Sequence, residues 1–179
     1  PVAVSIAWLF MYDYEFGIFN YLLNEVGFSS VRWLSDPNIA LYAMMVVDVW
    51  QATPFAFLLL YAALLSLPRD PYEAAAIDGA GRWHVFRTVT LPLLQPVLLV
   101  VILLRLIDAA RIFDKIFIMT RGGPGSSAYT MTLTIYIEGF TKFDFGYASA
   151  LSLLFQFSLM AAATFYVRRV LSDYAAPAE

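Results

Sequence analysis

The sequence has no cysteine and a single histidine, His84. Without thiols there is no disulfide scaffold, thiolate metal site or cysteine nucleophile, and one imidazole builds no histidine cluster for zinc. Charge is scarce too. Asp, Glu, Lys and Arg make up 14% of the 179 residues, against about 25% in soluble domains. A net charge of −3 and a pI near 5.1 exclude a basic nucleic-acid-binding surface. What the chain has instead is apolar surface: 61% hydrophobic residues, 17% aromatics and a mean hydropathy of +0.70. A soluble domain of this size does not cover so much, and a disordered chain does not carry it. The chain reads as an integral, all-α membrane protein.

Pro1 opens directly into an apolar run, residues 1–12. A spanning helix needs about 20 residues, and the run has neither the basic n-region nor the cleavage site of a signal peptide. It reads as a partial span whose start is missing, in the C-terminal part of a longer polytopic protein. Residues 39–67, 91–110 and 145–167 read as spans. As helix, the first would reach about 43 Å against a hydrocarbon core of about 30 Å, an excess to be absorbed by tilt or by a break at Pro54. Between them lie 13–38, 68–90 and 111–144, with a tail at 168–179. Basic residues divide equally between the two sides: Arg69, Arg82, Arg87, Arg168 and Arg169 against Arg32, Arg111, Lys115, Arg121 and Lys142. The positive-inside rule therefore leans only through the shorter segments, toward placing 68–90 and the tail in the cytoplasm.

The informative stretch runs from Pro68 to Trp83. Asp70 suits an N-cap, Pro71 the first helical position, and Glu73 a capping-box partner. Ala74, Ala75 and Ala76 propagate the helix and Gly79 is suited to end it. A second short helix, 82–88, would then lead into Leu91-Pro92. Small residues beside glycine let another protein approach the backbone closely, so the segment looks like a docking element; its bland alternative is a partnerless helical hairpin. Further on, Gly122-Gly123-Pro124-Gly125 breaks the chain. The alternation in 130–137 reads as a strand by period alone.

Glu73-Ala74-Ala75, then Gly79, Val89 and Leu91-Pro92, resembles the EAA loop of binding-protein-dependent ABC importer permeases, with valine where the family pattern has isoleucine. Phe113-Asp114 with Thr120-Arg121-Gly122-Gly123-Pro124, and Phe145-Gly146-Tyr147-Ala148-Ser149-Ala150, resemble two further signatures of the carbohydrate-uptake branch, similar to the larger-type permease of maltose and glycerol-phosphate importers. The resemblance covers about residues 17–170. It implies one of two permease subunits in a bacterial or archaeal cytoplasmic (inner) membrane, with a second permease, ABC ATPase subunits and an extracytoplasmic solute-binding protein as partners. The permease would bind no cofactor and hold no metal, and would do no bond chemistry. ATP and Mg would sit on the ATPase, in keeping with the lack of a phosphate-binding G-x-x-x-x-G-K-[ST] loop here. Tyr72, Glu73, Ala74, Ala75, Asp78, Gly79 and Arg82 would form the coupling helix in a cleft of that ATPase. This places 68–90 in the cytoplasm, 13–38 and 111–144 outside, and the tail inside. It also turns 130–137 into helix entering the last span.

Ionisable groups at membrane depth cost roughly 2.5–3.5 kcal/mol on insertion scales and are functional candidates. Asp48 lies about 14 Å into its span; it reads first as an interhelical tie and second as a solute ligand. Arg105, Asp108, Arg111 and Asp114 follow at steps of three, a ladder of alternating sign. The resemblance places solute-path positions at Gln51, Ala52 and Phe55, and at Arg105, Asp108, Ala109, Ile112 and Asp114. Their side chains differ from those of the maltose relative, so its sugar is not carried over. An internal Arg105–Asp108 pair competes with a ligand role, and packing or lipid contact competes for Phe55, Trp50 and Tyr61. His84 reads as a surface residue of the loop. The acidic segment 13–38 reads as a solvated loop ahead of a binding-protein contact. Same-family permeases for a polyol or glycerophosphodiester, and a channel or scaffold without an ATPase, are the alternative functions.

Overall fold

The computed structural model describes residues 2–125 and 127–171. Pro1, Ser126 and the part of the tail from residue 172 lie outside the described residues. Among the described residues there is helix, turn and irregular chain, and no strand. In chain order the helices are α1 (Val2–Met11), α2 (Ile18–Glu25), α3 (Ala40–Leu65), α4 (Asp70–Ile77), α5 (Arg82–Val85), α6 (Leu91–Ala110), α7 (Asp114–Met119), α8 (Met131–Tyr136) and α9 (Phe145–Tyr166). Among the described residues, three continuous stretches are long and apolar enough to cross a membrane: Ala40–Leu65, Arg82–Ala110 and Phe145–Val170.

Two of them bear on the sequence reading. Pro54 does not break α3, which runs through it. Proline removes the hydrogen bond to the carbonyl four residues back and crowds that carbonyl, costs that a spanning helix absorbs by local adjustment. Nor is there a break before Leu91-Pro92. The helix begun at Arg82 passes through a π turn, Phe86–Thr90, directly into α6. In that turn the Leu91 N–H reaches the Phe86 carbonyl, five residues back. The wider loop gives the Pro92 ring room over the preceding turn, where an α-helical carbonyl would clash.

The chain packs as two compact units. One comprises residues 1–51 and 108–159. Its core is Trp8, Tyr12, Ala43, Met44, Val47, Ile116, Met119, Ala128 and Leu133, contributed mainly by α1, the start of α3 and α7. Two features hold its irregular chain. Asn20, 1% exposed, donates from Nδ2 to the carbonyls of Asp13, Tyr14 and Val31 at 3.4, 3.2 and 3.0 Å. Its Oδ1 accepts from the Val31 N–H and Trp33 Nε1 at 2.9 and 3.0 Å. Residues 13–38 are therefore a folded cap built on one amide, not a plain solvated loop. The second feature is the link between α6 and α7, where the Ile112 carbonyl accepts from the Thr130 and Thr132 hydroxyls at 3.4 and 2.6 Å. Those two threonines account for the period-two pattern of 130–137: Thr130 caps α8, accepting from the Leu133 N–H, and Leu133 points into the core. The segment is helix, as the resemblance implied. It does not enter the last span directly, because a turn at Lys142 and Phe143 (φ +59°) separates it from α9.

The glycine motif is spatial as well as conformational. Gly122 has φ +106°, and a Cβ there would lie 2.6 Å from the Tyr129 ring. Gly125, φ +65°, faces open space. At the next break the Glu138–Lys142 pair, 2.7 Å, spans one helical turn. A hydrogen bond and the charge of the Glu138 carboxylate hold the lysine ammonium above its ordinary range, so on the alkaline side the pair's contribution is lost as pH rises through that raised value.

The second unit comprises 52–107 with the described residues from 160 onward. It buries little: Ala75, Leu94 and Val101. The Tyr166 hydroxyl donates to the Leu99 carbonyl at 3.1 Å, joining α9 to α6.

Two outcomes follow. Asn20→Asp, which turns an oxygen toward three carbonyls, lowers thermal stability of the purified full-length protein more than Asn20→Ala, itself costing about 2–4 kcal/mol. Gly122→Ala is more destabilising than Gly125→Ala, for which backbone strain alone costs about 1–2 kcal/mol; thermal unfolding of the two variants orders them.

Candidate functional site: a docking loop and a half-buried ion pair

The loop after α3 is built on backbone hydrogen bonds. The N–H groups of Tyr72 and Glu73 both donate to the Arg69 carbonyl, at 2.9 and 3.1 Å. The capping position is Arg69, in helical conformation, and no side chain caps it. This corrects the expected Asp70 cap and capping box. Asp70 and Glu73 instead lie in the first turn, where they complement the helix dipole. Gly79 does end the helix. Its N–H donates to Ala76 and the Ala80 N–H to Ala75, at 3.1 and 3.0 Å, around a Gly79 φ of +69°. That is the Schellman arrangement. Ala75 is buried, while Glu73, Ala74, Asp78, Gly79 and Arg82 are exposed and Tyr72 is half-buried. The Tyr72 hydroxyl donates to Thr90 Oγ1 at 3.1 Å, fastening α4 to the π turn. Ile77 and Trp83 stand 87% and 72% exposed, with Trp83 stacked on Phe86. A hairpin that displays a bare isoleucine and tryptophan beside an exposed acid is shaped for a protein partner. His84 is an exposed residue of this hairpin.

The polar groups at depth fall into both units. In the first, Asp48 Oδ1 meets Lys115 Nζ at 2.5 Å, so α3 and the first turn of α7 are joined by an ion pair. Gln51 follows Asp48 by three residues, on the same face of α3. Its Oε1 is buried with no hydrogen-bond donor among the described residues. Ala52, half-buried, and Phe55, exposed, continue α3 in the second unit, and Arg105 is half-buried on α6. The expected ladder is interrupted. Asp108 and Ala109 are exposed near the end of α6, but the helix stops at Ala110, and Asp114 belongs to a new helix, where it is exposed. The reason is the bend between them, stabilised by the Thr130 and Thr132 hydroxyls on Ile112. Ile112 itself packs against the core of the first unit. Among the described residues no group of three or more carboxylates and imidazoles could hold a metal ion.

Sequence reasoning missed Lys115 and Asn20. Lys115 had a legible signal, a lone cation in the apolar run 112–119. Asn20 had none, since a buried amide and a surface amide look alike in a polar segment.

Helices long and apolar enough to span a membrane, interrupted by a hairpin with exposed apolar side chains, define a polytopic membrane protein. The profile of the family described as "Binding-protein-dependent transport system inner membrane component" matches residues 1–173. The chain belongs to that family. It is 45% identical over 155 residues to the trehalose/maltose transport system permease protein MalF of Thermococcus litoralis, covering 86% of this chain and 52% of the relative. To the sulfoquinovosyl glycerol transport system permease protein SmoG of Agrobacterium fabrum it is 38% identical, covering 90% and 52%. The chain thus spans about half the length of these curated relatives. A bacterial ABC transporter involved in alginate import shares the fold, with a TM-score of 0.86 at 23% identity over 94% of this chain and 60% of that one.

Because Gly79 needs a positive φ and Gly81, at φ −70°, does not, Gly79→Ala destabilises the hairpin by about 1 kcal/mol and Gly81→Ala leaves it unchanged. Protease protection of the loop in membrane vesicles separates the two.

Proposed function

We propose that this chain is the core of a transmembrane subunit of an ATP-driven sugar importer, forming half of the translocation path and coupling it to a separate ATPase. The observation that carries the reading is the hairpin: Glu73, Ala74, Ile77 and Asp78 are exposed on and just after α4, and Trp83 is exposed on a second helix that continues without a break from Arg82 to Ala110. A force applied at the ATPase reaches the membrane through covalent helix. Family membership and the resemblance to maltose-type permeases support the sugar assignment.

In this reading 68–90 is cytoplasmic, 13–38 and 111–144 face outward, and the tail lies inside. The host membrane is the cytoplasmic (inner) membrane of a bacterium or archaeon. ATP and Mg bind the partner ATPase, a second permease completes the path, and an extracytoplasmic binding protein delivers the solute. The subunit itself is not an enzyme. ATP-driven closure of the ATPase pair moves the coupling helices, and the path changes its exposure from one face to the other. Asp48, Gln51, Ala52, Phe55, Arg105, Asp108, Ala109, Ile112 and Asp114 remain the solute-path candidates. Ile112 acts there through its backbone, as the bend between α6 and α7.

The test is affinity purification of the full-length tagged subunit from its host in mild detergent. An ATPase and a second permease co-purify, and binding-protein-stimulated ATP hydrolysis is measured on the complex. Gly79→Pro requires a φ near −65° where the backbone holds +69° and removes the N–H bonded to Ala76. It abolishes both co-purification and stimulation while leaving membrane insertion intact. Recovery of the subunit alone would favour a channel or scaffold, and unchanged stimulation in the variant would sink the coupling role.

A further inference from the structure

We propose that the cavity in the 13–38 cap is a saccharide-binding site that holds one pyranose ring between Asp13 and Arg32. The inference rests on the importer reading above, which supplies the solute class, and gives that solute a second place on the chain. None of the residues lining the cavity is among the solute-path candidates.

The cavity measures about 270 Å³ and lies wholly within the first unit. Small-molecule sites start at roughly 300 Å³, so its room is that of a single sugar ring. Two stretches of the cap form its walls, one at Asp13 and Tyr14, the other at Arg32 and Trp33. The buried Asn20 amide bonds to both sides: to the carbonyls of Asp13 and Tyr14 on one, and to Val31 and the Trp33 indole on the other. The walls are therefore fixed before any ligand arrives, and binding costs little ordering.

The polar groups on the two walls are complementary. Arg32 is exposed, with its Cζ 5.5 Å from the centre of the Tyr14 ring, and no carboxylate pairs with it among the described residues. An aromatic ring positions the guanidinium but is no oxygen acceptor, so its N–H donors await one. Asp13 is the reverse case. Its Oδ1 accepts from the N–H groups of Glu15 and Phe16 at 2.9 and 3.2 Å, which fixes the carboxylate, while Oδ2 has no donor among the described residues. Trp33, Leu34 and Met119 add apolar surface to the lining. A ligand must bring acceptors to Arg32, donors to Asp13 and an apolar face to the rest. A simple anion meets only the first need and is repelled by Asp13. A hydroxyl is donor and acceptor at once, and a pyranose ring carries hydroxyls around its edge and C–H groups on its faces. In the importer, such a site holds the solute between its release from the binding protein and its entry into the path.

The full-length permease complex, reconstituted in nanodiscs without binding protein, is titrated with methyl glucoside, and binding is followed by saturation-transfer NMR. A nitroxide on Ser35→Cys, a residue of the lining, broadens the resonances of the bound sugar, and the diamagnetic analogue of the label at the same residue does not. Arg32→Gln and Asp13→Asn each weaken this binding about tenfold, the loss expected for one charge-assisted hydrogen bond. Asn at position 13 keeps an oxygen to accept from Glu15 and Phe16, so the turn survives and the loss reads the ligand contact. Sugar binding that neither variant weakens, or that the label at residue 35 leaves sharp, overturns the proposal and leaves the importer reading standing. Acetate that binds where methyl glucoside does not, and is lost in Arg32→Gln, also overturns it and makes the cavity a seat for a partner's carboxylate. A wild-type complex that binds neither overturns it too. The importer reading fails separately, through a subunit that co-purifies with no ATPase.

Discussion

A chain this apolar has little water to satisfy its backbone, so each place where a helix stops needs an internal partner for the carbonyls and N–H groups it releases. That requirement organises the structure more than hydrophobic burial does. The bend after α6 exists because two threonine hydroxyls take the Ile112 carbonyl. The cap at 13–38 exists because one asparagine amide serves five backbone and side-chain groups. The hairpin closes because Gly79 lets Ala75 and Ala76 find donors beyond the helix end. By contrast, none of the most apolar stretch of the last spanning helix is buried within the chain. In a lipid solvent such surface carries no penalty, and helix association relies on packing and on polar ties such as Tyr166 to Leu99.

Much of this was legible from residue types. The three spanning stretches declare themselves by length and hydropathy, and the helix-ending role of Gly79 follows from its being the one residue there free to adopt a positive φ. The glycines at 122–125 announced a break, and the structure adds that Gly122 also makes room for the Tyr129 ring. What failed were inferences from local pattern where the decisive partner lies far along the chain. Thr130 and Thr132 alternate like a strand because both reach the same carbonyl some twenty residues earlier. The charge ladder from Arg105 to Asp114 presumed a helix that those same threonines terminate. Asp70 looked like a cap, but the Arg69 carbonyl takes the first-turn N–H groups before any side chain is needed.

The candidate site divides along the same line. The hairpin is a local structure, so its two short helices and the glycine that ends the first were legible in the sequence, and only the way the first helix begins differs. The membrane-embedded groups are non-local. Asp48 stood out by its cost at depth, yet its partner, 67 residues away, became visible only in three dimensions. An ion pair between two helices is an ambiguous object in a membrane: it stabilises against the apolar surroundings and also offers polarity to whatever passes. On the same face the Gln51 Oε1 is buried with no hydrogen-bond donor among the described residues.

The π turn at Phe86–Thr90 has a mechanical consequence. By sparing Pro92 a break, it makes the hairpin's second helix and the following span a single lever of 29 residues, about 43 Å long at the rise of an α-helix. A rotation of ten degrees about its middle would swing each end by about 4 Å without any side-chain relay between the two ends. The wider turn is also the lever's softest point, and Tyr72 braces it through Thr90. A single tyrosine hydroxyl on α4 thus stiffens the junction between the hairpin and the long helix, and loosening it would turn a rigid arm into a joint.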